Sequence, residues 1–262
     1  VTGALSVVVH ATTDLLAQAA AARLVTGLVD VQAARGHAHV VLTGGGIGIA
    51  TLAALASSAA RDAVDWRALD VWWGDERFLP AGHRDRNETQ AREALLDRVP
   101  VPAERVHAMA ASDGPWGDDL DAAARGYAEE LAAATRTEER RDGVPAFDIL
   151  MLGVGPDAHV ASLFPEGAAL HVEDASVVGV RGAPKPPPNR ISLTAPAIRC
   201  AREVWLLAAG AEKAGAVSLA LSGAGQLAVP AAGAVGQRRT LWLLDRAAAA
   251  RLPASLARIA SP

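Results

Sequence analysis

Cysteine is almost missing from this sequence. Cys200 is the sole example in 262 residues, which excludes an intramolecular disulfide and any multi-cysteine metal site. A thiol-poor chain suits a reducing compartment, and a cytoplasmic protein is expected. Long apolar runs are also lacking. The longest, residues 16–31, is interrupted by Gln18, Arg23 and Asp30, so no membrane span is expected. No basic stretch leads into an apolar core of the secretory kind near the first residues. Nor is there an excess of positive charge. With 25 basic against 29 acidic residues the net charge is -4, so no overall field draws the chain to nucleic acid or an anionic membrane. An anionic substrate would need a local cationic pocket. Arg far outnumbers Lys, which reads as codon bias rather than mechanism.

What is present is ordinary globular material. Apolar residues make up 51% and charged residues 21%, enough for a sizeable core and unlike a disordered chain. Strand-like and helix-like segments alternate throughout. Residues 5–10, 39–43, 70–73, 147–152, 177–180, 204–208 and 240–244 read as strands. Helical readings fall after Thr13 and Asp14 as far as Gly36, then at 50–60, 87–98, 119–135 and 212–221. A short apolar helix is expected between His159 and Pro165, and the charged stretch 136–142 reads as a solvated turn. Repeated strand-then-helix order implies a single α/β domain over residues 1–262. Its architecture is Rossmann-like and doubly wound, with a mostly parallel sheet and helices on both faces. The run Pro184-Lys185-Pro186-Pro187-Pro188 reads as stiff and extended, not as an interdomain linker.

Three glycine-bearing loops follow strands, where open parallel sheets bind ligands. Thr43-Gly44-Gly45-Gly46-Ile47-Gly48 opens a helix and offers backbone N–H groups to a phosphate, although a tight turn explains it equally well. Gly153-Val154-Gly155-Pro156-Asp157-Ala158 matches a dinucleotide fingerprint only formally. Asp157 would put a carboxylate where pyrophosphate belongs, and Pro156 removes a donor. The loop does bring Asp157 and His159 together, and histidine is the natural general base for activating water. Trp72-Trp73-Gly74-Asp75-Glu76-Arg77 ends in three charges. These are either a solvated turn or a site in which Asp75 takes sugar hydroxyls and Arg77 meets substrate oxygens. Arg190 and Lys213 are candidate phosphate ligands. No GxSxG elbow, HExxH motif or metal-spaced histidine set occurs, so no serine nucleophile, metal or cofactor is expected.

Four ordered segments resemble those of 6-phosphogluconolactonases. They are Trp73-Gly74-Asp75-Glu76-Arg77 with Asn87, then Leu152 through Pro165, Lys185 through Thr194, and Gly210-Ala211-Glu212-Lys213-Ala214. The resemblance implies hydrolysis of a phosphorylated sugar lactone by a monomer or weak homodimer. His159, Asp157 and Arg77 would be catalytic. Gly44, Gly45, Gly46, Asp75, Asn87, Arg190 and Lys213 would bind substrate. The family shares its fold with glucosamine-6-phosphate deaminases, the alternative reading. Those continue after the histidine with Phe-Asn-Glu-Pro, whereas here Ser162-Leu163-Phe164-Pro165 supplies no carboxylate. The family's usual glycine between aspartate and histidine is Ala158 here. If the loop needs a left-handed residue there, His159 would be displaced, leaving a catalytically inactive sugar-phosphate sensor as a further alternative. The usual Ser-Asn pair is Arg86-Asn87.

Overall fold

The computed structural model describes residues 3–135, 143–253, 255–256 and 258–259, so the turn expected at 136–142 lies outside the described residues. The main sheet contains β1 (Ala4–His10), β2 (Ala38–Leu42), β3 (Leu69–Trp73) and β5 (Ile149–Gly153). It is completed by β8 (Glu203–Ala208), β9 (Arg239–Asp245) and β10 (Arg258–Ile259). All pair in parallel, in the order β10-β1-β9-β8-β5-β2-β3. Every residue of β2 is buried, as are Ile149–Leu152 of β5, which is why both strands are mostly apolar, with His39 the polar exception in β2. This is the doubly wound α/β architecture the alternation implied.

Helix α1 (Thr13–Arg35) buries Leu16, Ala20, Leu24 and Leu28 along one face. Its N-cap is Thr12, whose hydroxyl accepts the Leu15 N–H at 3.2 Å, and not Thr13 or Asp14. The Thr13 hydroxyl instead donates to Asp245, 2.8 Å away. Gly36 ends the helix at φ +79°, as expected. The second helix, α2 (Gly45–Ala56), begins inside the glycine run rather than at residue 50. Among the described residues no helix is long and apolar enough to cross a membrane.

A second, antiparallel sheet was not foreseen. It joins β4 (Asp75–Arg77), β7 (Arg190–Leu193) and β6 (Val177–Val180), so residues 177–180 leave the main sheet. Three charged residues in a row carry no strand signal, and β4 forms because β7 supplies a partner. The helix expected between His159 and Pro165 is absent. Ala158, Ala161 and Glu166 have φ of 68°, 49° and 56°, and left-handed residues cannot continue a right-handed helix. The proline run is curled, not extended: the Ala183 N–H donates to the Pro188 carbonyl at 2.9 Å.

Further helices are α3 (Asn87–Ala94), α4 (Leu120–Ala134), α5 (Ala195–Arg199), α6 (Ala214–Leu221) and α7 (Pro230–Gly233). Cys200 is buried at the end of α5. Chain order reverses at β2: β3 lies on one side of it and β5 on the other. Loops leaving β2 and β5 therefore part in different directions and open a crevice.

Candidate active site

Four neighbouring strands, β8, β5, β2 and β3, deliver their following loops to one cavity of about 240 Å³. Gly44, Gly45, Asp75, Arg77, Asn87, His159, Arg190 and Lys213 line it, as the sequence reading anticipated. Gly46 faces an adjoining groove that shares Gly45 and Arg77. Asp157 stands behind His159, in contact with its ring.

His159 is set by its own loop. Ala158, 2% exposed, takes the left-handed conformation and lets the chain fold back, so that Asp157 Oδ1 meets His159 Nδ1 at 2.5 Å. The loop does need φ > 0 at this position, and alanine tolerates it at about 1 kcal/mol or slightly more. With that conformation adopted, His159 lines the cavity. Gly155 lies directly beneath: a Cβ there would stand 2.0 Å from His159 Nδ1 and 2.4 Å from Asp157 Oδ1. A carboxylate can only accept, so Nδ1 carries the proton and Nε2 keeps its lone pair. Burial holds the imidazole below its ordinary value, against the upward pull of Asp157. Burial would raise Asp157, but the charge and hydrogen bonds of His159 keep it low. Phe164 packs on the ring, with centroids 4.6 Å apart.

The Gly153 loop offers few free donors. The N–H of Gly153 goes to Thr43 Oγ1 at 3.1 Å, that of Val154 to Leu207, and that of Gly155 to the His159 carbonyl. These three groups are occupied within the protein. Arg77 remains: Nη1 bonds the Asp85 carbonyl at 2.7 Å, while the buried Nε has no partner among the described residues.

Asp75 and Glu76 are not a solvated turn. They are 7% and 0% exposed. Asp75 Oδ2 accepts from the Ser162 hydroxyl at 2.7 Å, and Asn87 Nδ2 donates to the Asp75 carbonyl at 2.8 Å. Helix α3 has no side-chain cap from Arg86. Glu76 caps it from β4, accepting the N–H groups of Asn87 at 2.6 Å and Glu88 at 2.9 Å, with Arg77 N–H at 2.8 Å. Burial pushes the Glu76 carboxyl up to about 7, opposed by Arg86 and these three donors. The arrangement aims Asn87 into the cavity. Asn87 Oδ1 sits over Gly44, where a Cβ would approach to 1.9 Å, and this buried acceptor is unpaired among the described residues.

Cations gather here despite the negative chain. The sequence has two lysines, Lys185 and Lys213, and both line the cavity. Burial lowers the Lys213 ammonium, helped by the charge of Lys185. Arg190 lies across the β4–β7 ladder from Arg77. Two of its nitrogens hold the proline loop, Nε bonding the Pro187 carbonyl and Nη2 those of Lys185 and Pro186. Arg190 thus shapes the loop that carries Lys185, a role no sequence signal suggested. Gly45 and Gly46 open α2 with no side-chain cap, leaving first-turn N–H groups for an anion. Among the described residues no cluster suited to a metal ion occurs.

Both the sequence and the fold match those of known proteins. A 6-phosphogluconolactonase of Streptomyces coelicolor is 65% identical over 249 residues, covering 95% of each chain. That of Mycobacterium tuberculosis is 50% identical, covering 95% of this chain and 98% of its own. The solved 6-phosphogluconolactonase of Trypanosoma brucei superposes with a TM-score of 0.80 at 29% identity, over 96% of this chain and all of the other. A monomeric glucosamine-6-phosphate deaminase, 20% identical with a TM-score of 0.74 over 93% of this chain and 99% of its own, shares the fold. Residues 11–242 match the family described as glucosamine-6-phosphate isomerases/6-phosphogluconolactonase, and the chain belongs to that family.

Proposed function

We propose that this chain hydrolyses 6-phospho-D-glucono-1,5-lactone to 6-phosphogluconate, the second step of the oxidative pentose phosphate pathway, as a cytoplasmic enzyme acting through one catalytic unit. The observation that carries the reading is the Asp157-held His159 lining a cavity that also contains both lysines of the chain. His159 Nε2 takes a proton from water as the water oxygen adds to the lactone C1. The tetrahedral intermediate collapses by expelling the ring oxygen, to which His159 returns the proton. Arg77 stabilises the developing oxyanion, since the Gly153, Val154 and Gly155 N–H groups are already bonded. Asp75 and the unpaired Asn87 Oδ1 take sugar hydroxyls. Lys213, Lys185, Arg190 and the first turn of α2 hold the phosphate, fixing C1 against the base.

Deamination of an amino-sugar phosphate is disfavoured by Phe164, which puts an apolar ring rather than a carboxylate against His159. The test is release of 6-phosphogluconate from freshly generated lactone, corrected for spontaneous hydrolysis, with glucosamine 6-phosphate offered in parallel. Lactone turnover without ammonia is expected. Ammonia release would transfer the chain to the deaminase branch, and tight binding without turnover would make it a sensor.

A further inference from the structure

Lys213 ends a single 3-10 turn, Ala211–Lys213, entered from Gly210 at φ +100° and ψ 148°, a conformation essentially restricted to glycine. The turn has no side-chain cap, and Ala211 and Glu212 are exposed. Its anchor lies at the far end of the chain. Asp245, the last residue of β9 and 4% exposed, accepts the Gly210 N–H with both oxygens, at 3.2 and 3.1 Å. Oδ1 also accepts the Ala248 N–H at 2.8 Å, and Oδ2 the Thr13 hydroxyl at 2.8 Å. One carboxylate therefore ties the Lys213 turn to the end of β9 and to the first turn of α1. Asp245 itself does not line the cavity.

We propose that Asp245 is a positioning residue for Lys213, fixing the origin of the turn from which the ammonium reaches the substrate phosphate. This rests on the reading of Lys213 as a phosphate ligand. Removing the carboxylate strands the Gly210 N–H and frees the turn, so phosphate binding suffers while proton transfer at His159 does not. Asparagine preserves the arrangement. Its Oδ1 accepts from Gly210 and Ala248, and its amide donates to the Thr13 hydroxyl, which reverses its role.

The test measures KM, kcat and inhibition by inorganic phosphate for Asp245→Ala, Asp245→Asn, Lys213→Met and the Asp245→Ala/Lys213→Met double variant, below the melting temperature of each. Asp245→Ala is expected to raise KM and weaken phosphate inhibition about tenfold, with kcat changed less than about twofold. Asp245→Asn restores both to within about threefold. The double variant is no worse than Lys213→Met alone, because the two residues act in series. An Asp245→Ala enzyme that loses kcat at unchanged KM, or that raises KM equally in the Lys213→Met background, overturns the assignment. A Lys213→Met enzyme with wild-type KM overturns the phosphate role of Lys213 instead. Should Asp245→Ala fold poorly, Thr13→Val removes one tie to Oδ2 and should give a smaller rise in KM that vanishes in the Lys213→Met background.

Discussion

Asp157 Oδ1 lies 2.5 Å from Nδ1 of His159, with only Ala158 between the two residues in sequence. The contact fixes which ring nitrogen is protonated and leaves the other as a base. Asp157→Asn should therefore lower kcat about 10²- to 10⁴-fold with a small change in KM, because an amide in place of the acceptor no longer enforces the tautomer. His159→Ala should lower kcat at least as far. An undiminished kcat in His159→Ala would remove the central claim.

The pH profile follows from the same pair. Burial sets the His159 value below 6.5, so the base form predominates at neutrality and kcat/KM should fall only as pH drops through that lower value. Asp157 pulls the value upward, so in Asp157→Ala the acid limb should move to still lower pH while the plateau drops. A limb at or above 6.5 in the parent enzyme would contradict the assignment.

Gly155 has no room for a methyl group. Gly155→Ala would drive a carbon into the imidazole and the Asp157 carboxylate, so kcat should fall about 100-fold in a folded protein. Circular dichroism alongside kinetics separates this from unfolding.

Ala158 is a different case. Left-handed alanine costs about 1–2 kcal/mol. Ala158→Gly relieves that but loses a buried methyl worth about 0.8 kcal/mol and adds unfolded-state freedom worth about 0.5–1 kcal/mol. Denaturant unfolding should place the variant within about 1 kcal/mol of the parent, with kcat unchanged. A large rise in kcat would mean that Ala158 does misplace the histidine.

Away from the cavity, His107 stacks on Trp72 with centroids 3.7 Å apart and bonds Glu130 at 2.7 Å and Asp70 at 3.1 Å. Burial lowers its value, but the two carboxylates outweigh burial and hold it raised. A raised histidine contributes stability that is full below 6.5 and lost as pH rises through the folded value. His107→Gln should thus destabilise more at pH 6 than at pH 9, by about 1 kcal/mol because solvent screens Glu130. Equal losses at both pH values would refute a charged His107.

The main sheet was legible because the middles of strands covered on both faces must be apolar, and Val40–Leu42, Ile149–Leu152, Val204–Ala208 and Leu241–Leu244 are. The Asp157–His159 loop and the Gly44 and Gly74 loops were legible because strand-end loops in a parallel sheet converge, whereas Asn87 came from the family resemblance. What escaped was everything that depends on a partner distant in sequence. Asp75–Arg77 becomes a strand only beside Arg190–Leu193, and Glu76 becomes a helix cap only when α3 is brought to it. Lys185 looked like part of a proline segment until Arg190 curled that segment toward the cavity. The His159 loop was misread as helical because apolar spacing says nothing about left-handed residues.

Strand β1 sits between β9 and β10, paired along its whole length with residues 239–245. The backbone of β1 is therefore satisfied only by strands far later in the sequence. Helix α1 can form from local contacts, but β1 stays unpaired until β9 joins it, a long closure that slows folding. Because Asp245 ends β9 and accepts from both Thr13 and Gly210, the pairing of β1 with β9 also seats the turn that carries Lys213.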